Sequence, residues 1–154
     1  MDYVNRNSAL MMGCSNKSEL AVGYGTLYGD IAGALLPIGD LLKVEVYKLA
    51  HQISRGRLPQ EVFTRAPSAE LYMNQQDIDT LPPYEILDPI LKLHLEHRKS
   101  RDEILEAHPD FAPHIDHILH LLKISEFKRY QAPMVLKVSK RNFGTGWDFP
   151  ITRY

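Results

Sequence analysis

Asn16 and Glu19, three positions apart in "SNKSE", have types and spacing suited to two kinds of chemistry. In a capping box the Asn16 side chain accepts a bond from the N–H of Glu19, and the Glu19 carboxylate accepts one from the N–H of Asn16. The same residues follow a short apolar segment and Gly13. A helix N-terminus after a strand is an anion site, and a carboxylate at its edge can hold a divalent ion that bridges phosphates. Spacing leaves both readings open. Gly23, Gly25, Gly29 and Gly33 follow, and they suit either a surface loop or a hinged lid that closes over substrate and excludes water. No Gly-Lys-Ser/Thr completes a Walker A pattern here. In "EFKRYQAP", Lys128 and Arg129 close a helical stretch, where they can offset the negative end of the helix dipole; alternatively, Lys128 binds an anionic substrate group.

Other chemistries find less support. Seven histidines include His94 and His97 at a spacing of three, and His114, His117 and His120, but no HExxH occurs. Solvated helix faces are the expectation. A Ser–His–Asp hydrolase lacks its Gly-x-Ser-x-Gly elbow. The 18 basic and 19 acidic residues give a formal net charge of -1, so no bulk field favours nucleic acid or an anionic membrane. Cys14 is the single cysteine, which excludes an intrachain disulfide and fits a reducing compartment, the cytoplasm by default. No stretch approaches the roughly 20 apolar residues that span a bilayer.

These residues need elements to position them. Ser8 to Met12 has the form of a buried strand, with nothing before it to pair with, so the sequence is expected to begin inside a larger domain. Asn16 starts a helix that the glycines end. Leu35 to Leu42 suits an edge strand or an irregular extended segment because it holds Pro37 and Gly39. Asp40 is placed to cap a helix over 43–53, with Leu42, Val46, Leu49, Ala50 and Ile53 on one face. Arg55 to Asp79 reads as loop. After Pro82-Pro83, Tyr84, Leu87, Leu91 and Leu95 form a stripe, in which Pro89 requires either a kink or a helix start at Asp88. Ser100 and Glu103 predict a second capping box, and His108-Pro109 the end of that helix. Ile115, Ile118, Leu119 and Leu122 make a stripe running into Phe127, and residues 131–154 form an extended arm.

Taken in order, "SNKSELAVGYGTLYGD", "LLPIGDLLKVEVYKLA", "RAPSAEL", "NQQDIDTLPPYEILDPIL", "SEFKRYQAP" and "FGTGWDFPIT" resemble the ATP-dependent amide-forming domain of NAD synthetase, particularly the glutamine-dependent type. The resemblance covers nearly the whole chain and makes it similar to the C-terminal part of that domain. It implies an α/β fold: an incomplete Rossmann-like sheet of the adenine-nucleotide α-hydrolase type, with a predominantly helical C-terminal half, usually in a homodimer. It implies adenylation of the nicotinate carboxylate of deamido-NAD by ATP with Mg2+, and displacement of AMP by ammonia freed from glutamine in a separate glutaminase domain. No nucleic acid or membrane partner is implied.

Residue by residue, the resemblance assigns Cys14, Lys43 and Ser68 to ATP, Glu19 to deamido-NAD and the metal ion, and Lys128 to deamido-NAD. The Gly23 to Gly33 stretch is similar to a segment that covers the site. Cys14 stands where the family usually carries threonine, and Pro89 where a helix-compatible residue is expected. The family's Ser-Gly-Gly pyrophosphate loop has no match in the sequence, and neither has the glutaminase domain. A non-catalytic nucleotide-binding or dimerisation module is therefore the alternative expectation.

Overall fold

The computed structural model describes residues 1–68, 76–147 and 149–152. The end of "RAPSAEL", the first two residues of "NQQDIDTLPPYEILDPIL", and positions 148, 153 and 154 lie outside the described residues. The fold is α/β, with a small parallel sheet and many helices.

Helix α1 (Asp2–Arg6) is exposed, and Ser8 after it takes a left-handed φ of 49°. The expected strand over Ser8 to Met12 is reduced to a single parallel bridge between Met12 and Leu35. Strand β1 (Leu35–Leu36) pairs in parallel with β2 (Met134–Val135), Leu35 opposite Met134 and Leu36 opposite Val135. Leu35 therefore has partners on both sides and is not the edge that Pro37 and Gly39 suggested. Residues in register across parallel strands share a face. Met12 and Met134 are 58% and 70% exposed on one face, while Leu36 on the other is fully buried.

Helix α2 (Lys17–Val22) begins with the predicted capping box: the Glu19 N–H donates to Asn16 Oδ1 (3.0 Å) and the Asn16 N–H to Glu19 Oε2 (3.1 Å). It ends at Gly23, whose φ is 68°. A Cβ there would stand 2.3 Å from Ser125 Oγ and 2.7 Å from Ser125 Cβ, so both conformation and space require glycine.

Helix α3 (Lys43–Ser54) matches its predicted span within one residue, but its predicted apolar face does not close on the core: Leu49 and Ile53 are exposed. Asp40 does not cap it. The Asp40 carboxylate accepts from the Val138 and Ser139 N–H groups (2.8 and 2.6 Å) and the Ser139 hydroxyl (2.8 Å), and pairs with Lys17 at 3.1 Å. Burial works to raise its pKa, and the Ser139 and Val138 hydrogen bonds outweigh that and hold it below the ordinary value.

The stretch read as loop contains α4 (Glu61–Thr64) and a 3-10 turn over Asp77–Asp79. Helix α5 (Tyr84–Leu95) starts four residues before Asp88 and runs through Pro89, which excludes the alternative of a start at Asp88 and leaves the proline inside the helix. Helix α6 (Arg101–Ala107) carries the predicted Ser100–Glu103 box and ends at His108. Helix α7 (Ala112–Ile124) buries Ile115, Ile118 and Leu122, but breaks at Ser125 before α8 (Glu126–Arg129), and Phe127 is exposed. The core lies where Leu20 and Ala21 of α2 meet Leu87, Leu91 and Leu95 of α5 and the α7 stripe. Each such side chain contributes about 1.5–3 kcal/mol on burial.

Two charged clamps fix α2 in this core. Lys17, 1% exposed, donates to Glu96 (2.9 Å), Ser139 Oγ (2.8 Å) and the Arg141 carbonyl (2.8 Å), besides pairing with Asp40. At the other end, Arg129 donates to the Leu20 and Ala21 carbonyls (3.1 and 2.6 Å), to the Leu122 carbonyl and to Glu126 (2.8 Å). The tail rests on the same corner, where Trp147 Nε1 donates to Glu126 Oε2 at 3.0 Å.

Candidate functional site

The site forms where the N-termini of α2 and α3 meet the start of α5. Helix α3 opens at Leu42, which has no side chain to cap it, so its first amides are served by other residues. The Leu42 N–H donates to Glu45 Oε2 (3.1 Å), the Lys43 N–H to Ser18 Oγ (2.9 Å) and the Val44 N–H to Asp88 Oδ2 (2.8 Å). Ser18 in turn donates to Asp88 Oδ1 at 2.5 Å. On α2, the Lys17 N–H donates to the Leu41 carbonyl and the Glu19 N–H to Asn16. These five amides already have acceptors, which leaves the side chains at the junction to be considered.

Lys43 is the cation at this junction. Its ammonium lies 2.8 Å from Glu19 Oε1, and the two side chains are 17% and 18% exposed. It also sits over the Tyr84 ring, 5.3 Å from the centroid, on the negative face of the aromatic system. Burial opposes the Lys43 charge, yet Glu19 outweighs this and raises the pKa, so the residue is a fixed cation at neutral pH. The Tyr84 hydroxyl donates to Asp77 at 2.6 Å; burial and that carboxylate push its pKa up, so it remains a neutral donor. A compact ammonium paired with one carboxylate is suited to exchanging that partner for a phosphate oxygen.

Beside Tyr84 opens a cleft of about 610 Å³, lined by Val44, Tyr47 and His51 of α3, by Phe63 and by Pro67. Ser68 lines a neighbouring open depression of about 370 Å³ that shares Tyr47, Arg65, Ala66 and Pro67 with the cleft. Glu19 and Lys43 are joined directly, and Ser68 is linked to them only by way of the cleft beside Tyr84, among whose lining residues neither of them stands. The other two predicted residues stand apart from that ion pair. Cys14 is exposed on the segment between the Met12 bridge and α2. Lys128 donates to the carbonyls of Gly23 and Gly25 (2.7 and 2.8 Å) and so fastens the start of the Gly23–Gly33 segment to α8. Tyr28 in that segment donates to Gln131 at 2.9 Å.

Among the described residues no group of three His, Cys, Asp or Glu side chains is gathered to hold a metal ion. Glu19 offers one carboxylate, with Oε2 bonded to the Asn16 N–H and Oε1 to Lys43. With both oxygens engaged and Lys43 beside it, Glu19 alone makes no metal site; a Mg2+ ion here would have to be held chiefly by phosphate and water.

Sequence reasoning passed over Ser18, Asp88 and Lys17. Helical spacing carried a signal for two of them: Lys17 shares the buried face of Leu20 and Ala21, and Asp88 lies within the stripe of Tyr84, Leu91 and Leu95. A charge on an apolar face requires a partner.

The sequence matches the family model of NAD synthase over residues 1–132. It is 46% identical over 154 residues to a glutamine-dependent NAD(+) synthetase of Aquifex aeolicus, and 44% identical over 155 residues to one of Synechocystis. These alignments cover 97% and 99% of this chain but 27% and 28% of the relatives, so the chain spans little more than a quarter of their length. Among solved structures, an NH3-dependent NAD synthetase of Campylobacter jejuni is 31% identical with a TM-score of 0.59 over 88% of this chain and 48% of that one. A glutamine-dependent NAD(+) synthetase of Cytophaga hutchinsonii, 22% identical, shares the fold with a TM-score of 0.79 over 97% of this chain and 25% of that one. Among the described residues no helix is long and apolar enough to cross a membrane. With 132 of its 154 residues matched, the chain belongs to the NAD synthase family.

Proposed function

We propose that this chain supplies part of the ligase centre that adenylates the nicotinate carboxylate of deamido-NAD with ATP and amidates it to NAD, the ammonia coming from glutamine in a separate glutaminase domain. The observation that carries this reading is the Glu19–Lys43 ion pair at the α2–α3 junction, in a chain whose relatives are glutamine-dependent NAD(+) synthetases. A free carboxylate is a poor acyl donor, because its oxygen leaves badly; adenylation converts that oxygen into part of a phosphate leaving group. Lys43 suits this step because an ammonium neutralises phosphate charge, and Ser68, in the depression next to the cleft, would add a hydroxyl.

Glu19 is the residue we assign to deamido-NAD and to a Mg2+ ion accompanying ATP, and the ion would add charge neutralisation at the phosphates. Cys14 would meet ATP through its backbone, and Lys128 would meet deamido-NAD. The small parallel sheet would belong to a larger Rossmann-like one in a cytoplasmic homo-oligomer.

The test is a hybrid in which this chain replaces the matching segment of the Aquifex aeolicus relative, assayed for ATP- and glutamine-dependent conversion of deamido-NAD to NAD. Turnover is expected, together with a loss of at least about 100-fold for Lys43→Ala or Glu19→Ala, the scale of removing one preorganised electrostatic contact. A folded hybrid without turnover, or normal turnover in both variants, would overturn the assignment.

A further inference from the structure

Asp88 has no place in that assignment, yet it sits at the joint of three helices. Its carboxylate is 3% exposed and lies in the middle of the apolar stripe of α5. One oxygen accepts from Ser18 of α2, which is fully buried, and the other from the Val44 N–H of α3. Ser18 passes the connection on, since its hydroxyl oxygen accepts from the Lys43 N–H. The backbone of Lys43 is therefore held by a chain of hydrogen bonds that ends on Asp88, while its ammonium is held by Glu19 on the same helix as Ser18.

We propose that Asp88 is a positioning residue whose buried carboxylate, acting through Ser18 and the first amides of α3, sets where Lys43 presents its ammonium beside Glu19. Its functional side rests on the reading of Lys43 and Glu19 as nucleotide-handling residues. A helix start is usually served by Ser, Thr, Asp or Asn at the N-cap position itself. Here Leu42 occupies that position and the acceptors come from α2 and α5, so capping α3 also fixes the relative placement of three helices. The carboxylate is poorly suited to a purely structural joint. Burial pushes its pKa up to about 6 against the favourable bonds from Ser18 and Val44, and Glu45 and Glu85 add repulsion. An amide of the same shape would remove that burden and keep an oxygen for the Val44 N–H, its NH2 then facing the Ser18 hydroxyl, which would have to rotate and accept from it. A charge held where it weakens the fold is the pattern of a residue kept for what it positions.

Three measurements on the 154-residue chain and one on the hybrid test this. With Asp88→Asn, the thermal midpoint at pH 7.5 is expected to be no lower than that of the parent. Amide exchange at Lys43 and Val44, followed by NMR, is expected to be about tenfold faster, as befits loss of charge-assisted bonds. Acylation of Lys43 by an amine-reactive ester, read by mass spectrometry, should accelerate several-fold. Asp88→Ala, which also leaves a cavity, should add a loss of stability. In the hybrid, Asp88→Asn should raise the KM for ATP more than it lowers kcat. Unchanged exchange and acylation in Asp88→Asn, or a midpoint as low as that of Asp88→Ala, would overturn the positioning role. If the parent hybrid shows no turnover, the functional reading fails by itself, and exchange and acylation decide the role of Asp88 on the chain alone.

Discussion

Gly23→Ala separates two costs that one position combines. The native φ of 68° lies in the left-handed region, where a non-glycine residue loses about 1 kcal/mol. The added Cβ would also stand 2.3 Å from Ser125 Oγ and 2.7 Å from Ser125 Cβ, and overpacking of that degree typically costs about 1–3 kcal/mol. The variant should therefore be destabilised by about 2–4 kcal/mol, which for a chain of this size lowers the melting midpoint by roughly 4–16 °C. Urea unfolding followed by the fluorescence of the single tryptophan, Trp147, measures it. A double-mutant cycle with Ser125→Gly isolates the steric part: without the Ser125 side chain, Gly23→Ala should cost only the conformational term of about 1 kcal/mol. The remainder appears as a coupling energy. Additivity of the two substitutions within about 0.5 kcal/mol would refute the clash as the cause.

Further outcomes follow from the clamps and the sheet. Lys17→Ala should cost about 3–5 kcal/mol in the same unfolding assay, because it leaves Glu96 without its buried partner and takes the charged donor from the Arg141 carbonyl. Lys128→Met should cost about 1.5–3 kcal/mol and speed proteolytic cleavage between Gly23 and Gly33, since two carbonyls lose a charged donor. For Asp88, the folded pKa of about 6 lies above the ordinary 3.8, so its contribution to stability is fully present below pH 3.8 and is lost as pH rises through 6. Relative to the parent, Asp88→Asn should gain up to about 3 kcal/mol between pH 4 and 7, and a flat difference across that range would contradict the shift. Met12 and Met134 share the exposed sheet face, so the chain should self-associate with rising concentration, and Met12→Lys with Met134→Lys should reduce this in sedimentation velocity.

The parts of the fold legible in the sequence are those set by neighbours in the chain. The Asn16–Glu19 and Ser100–Glu103 boxes form as their spacing predicts, because each is a closed exchange of bonds within four residues. The α7 stripe is legible because helical spacing sets Ile115, Ile118 and Leu122 on one face, and all three are buried before the break at Ser125. Asp40 shows where local reading stops: its type and place suit a cap for α3, but Val138 and Ser139, far along the chain, offer it three donors. Pro89 is similar, since packing of Leu87, Ile90 and Leu91 carries α5 through a residue that lacks an N–H. The strand over Ser8 to Met12 fails for want of pairing, only Met12 having a bridge partner. In the site, the pairing of Glu19 with Lys43 was not readable from spacing at all, because the two residues lie on different helices and meet only through the turn of the chain between them.

The clamp on Lys17 also constrains the order of folding. Its partners Asp40, Glu96, Ser139 and Arg141 come from three separate stretches of chain, the most distant 124 positions away. An ammonium cannot leave water before its acceptors arrive, so α2 cannot settle fully into the core until residues 138–141 have docked. Contacts of such long range form late and slow the search. Lys17 substitutions should then accelerate unfolding while leaving the folding rate nearly unchanged, and a nascent chain that has emerged only as far as α7 would hold α2 loosely, still hydrated at its first turn.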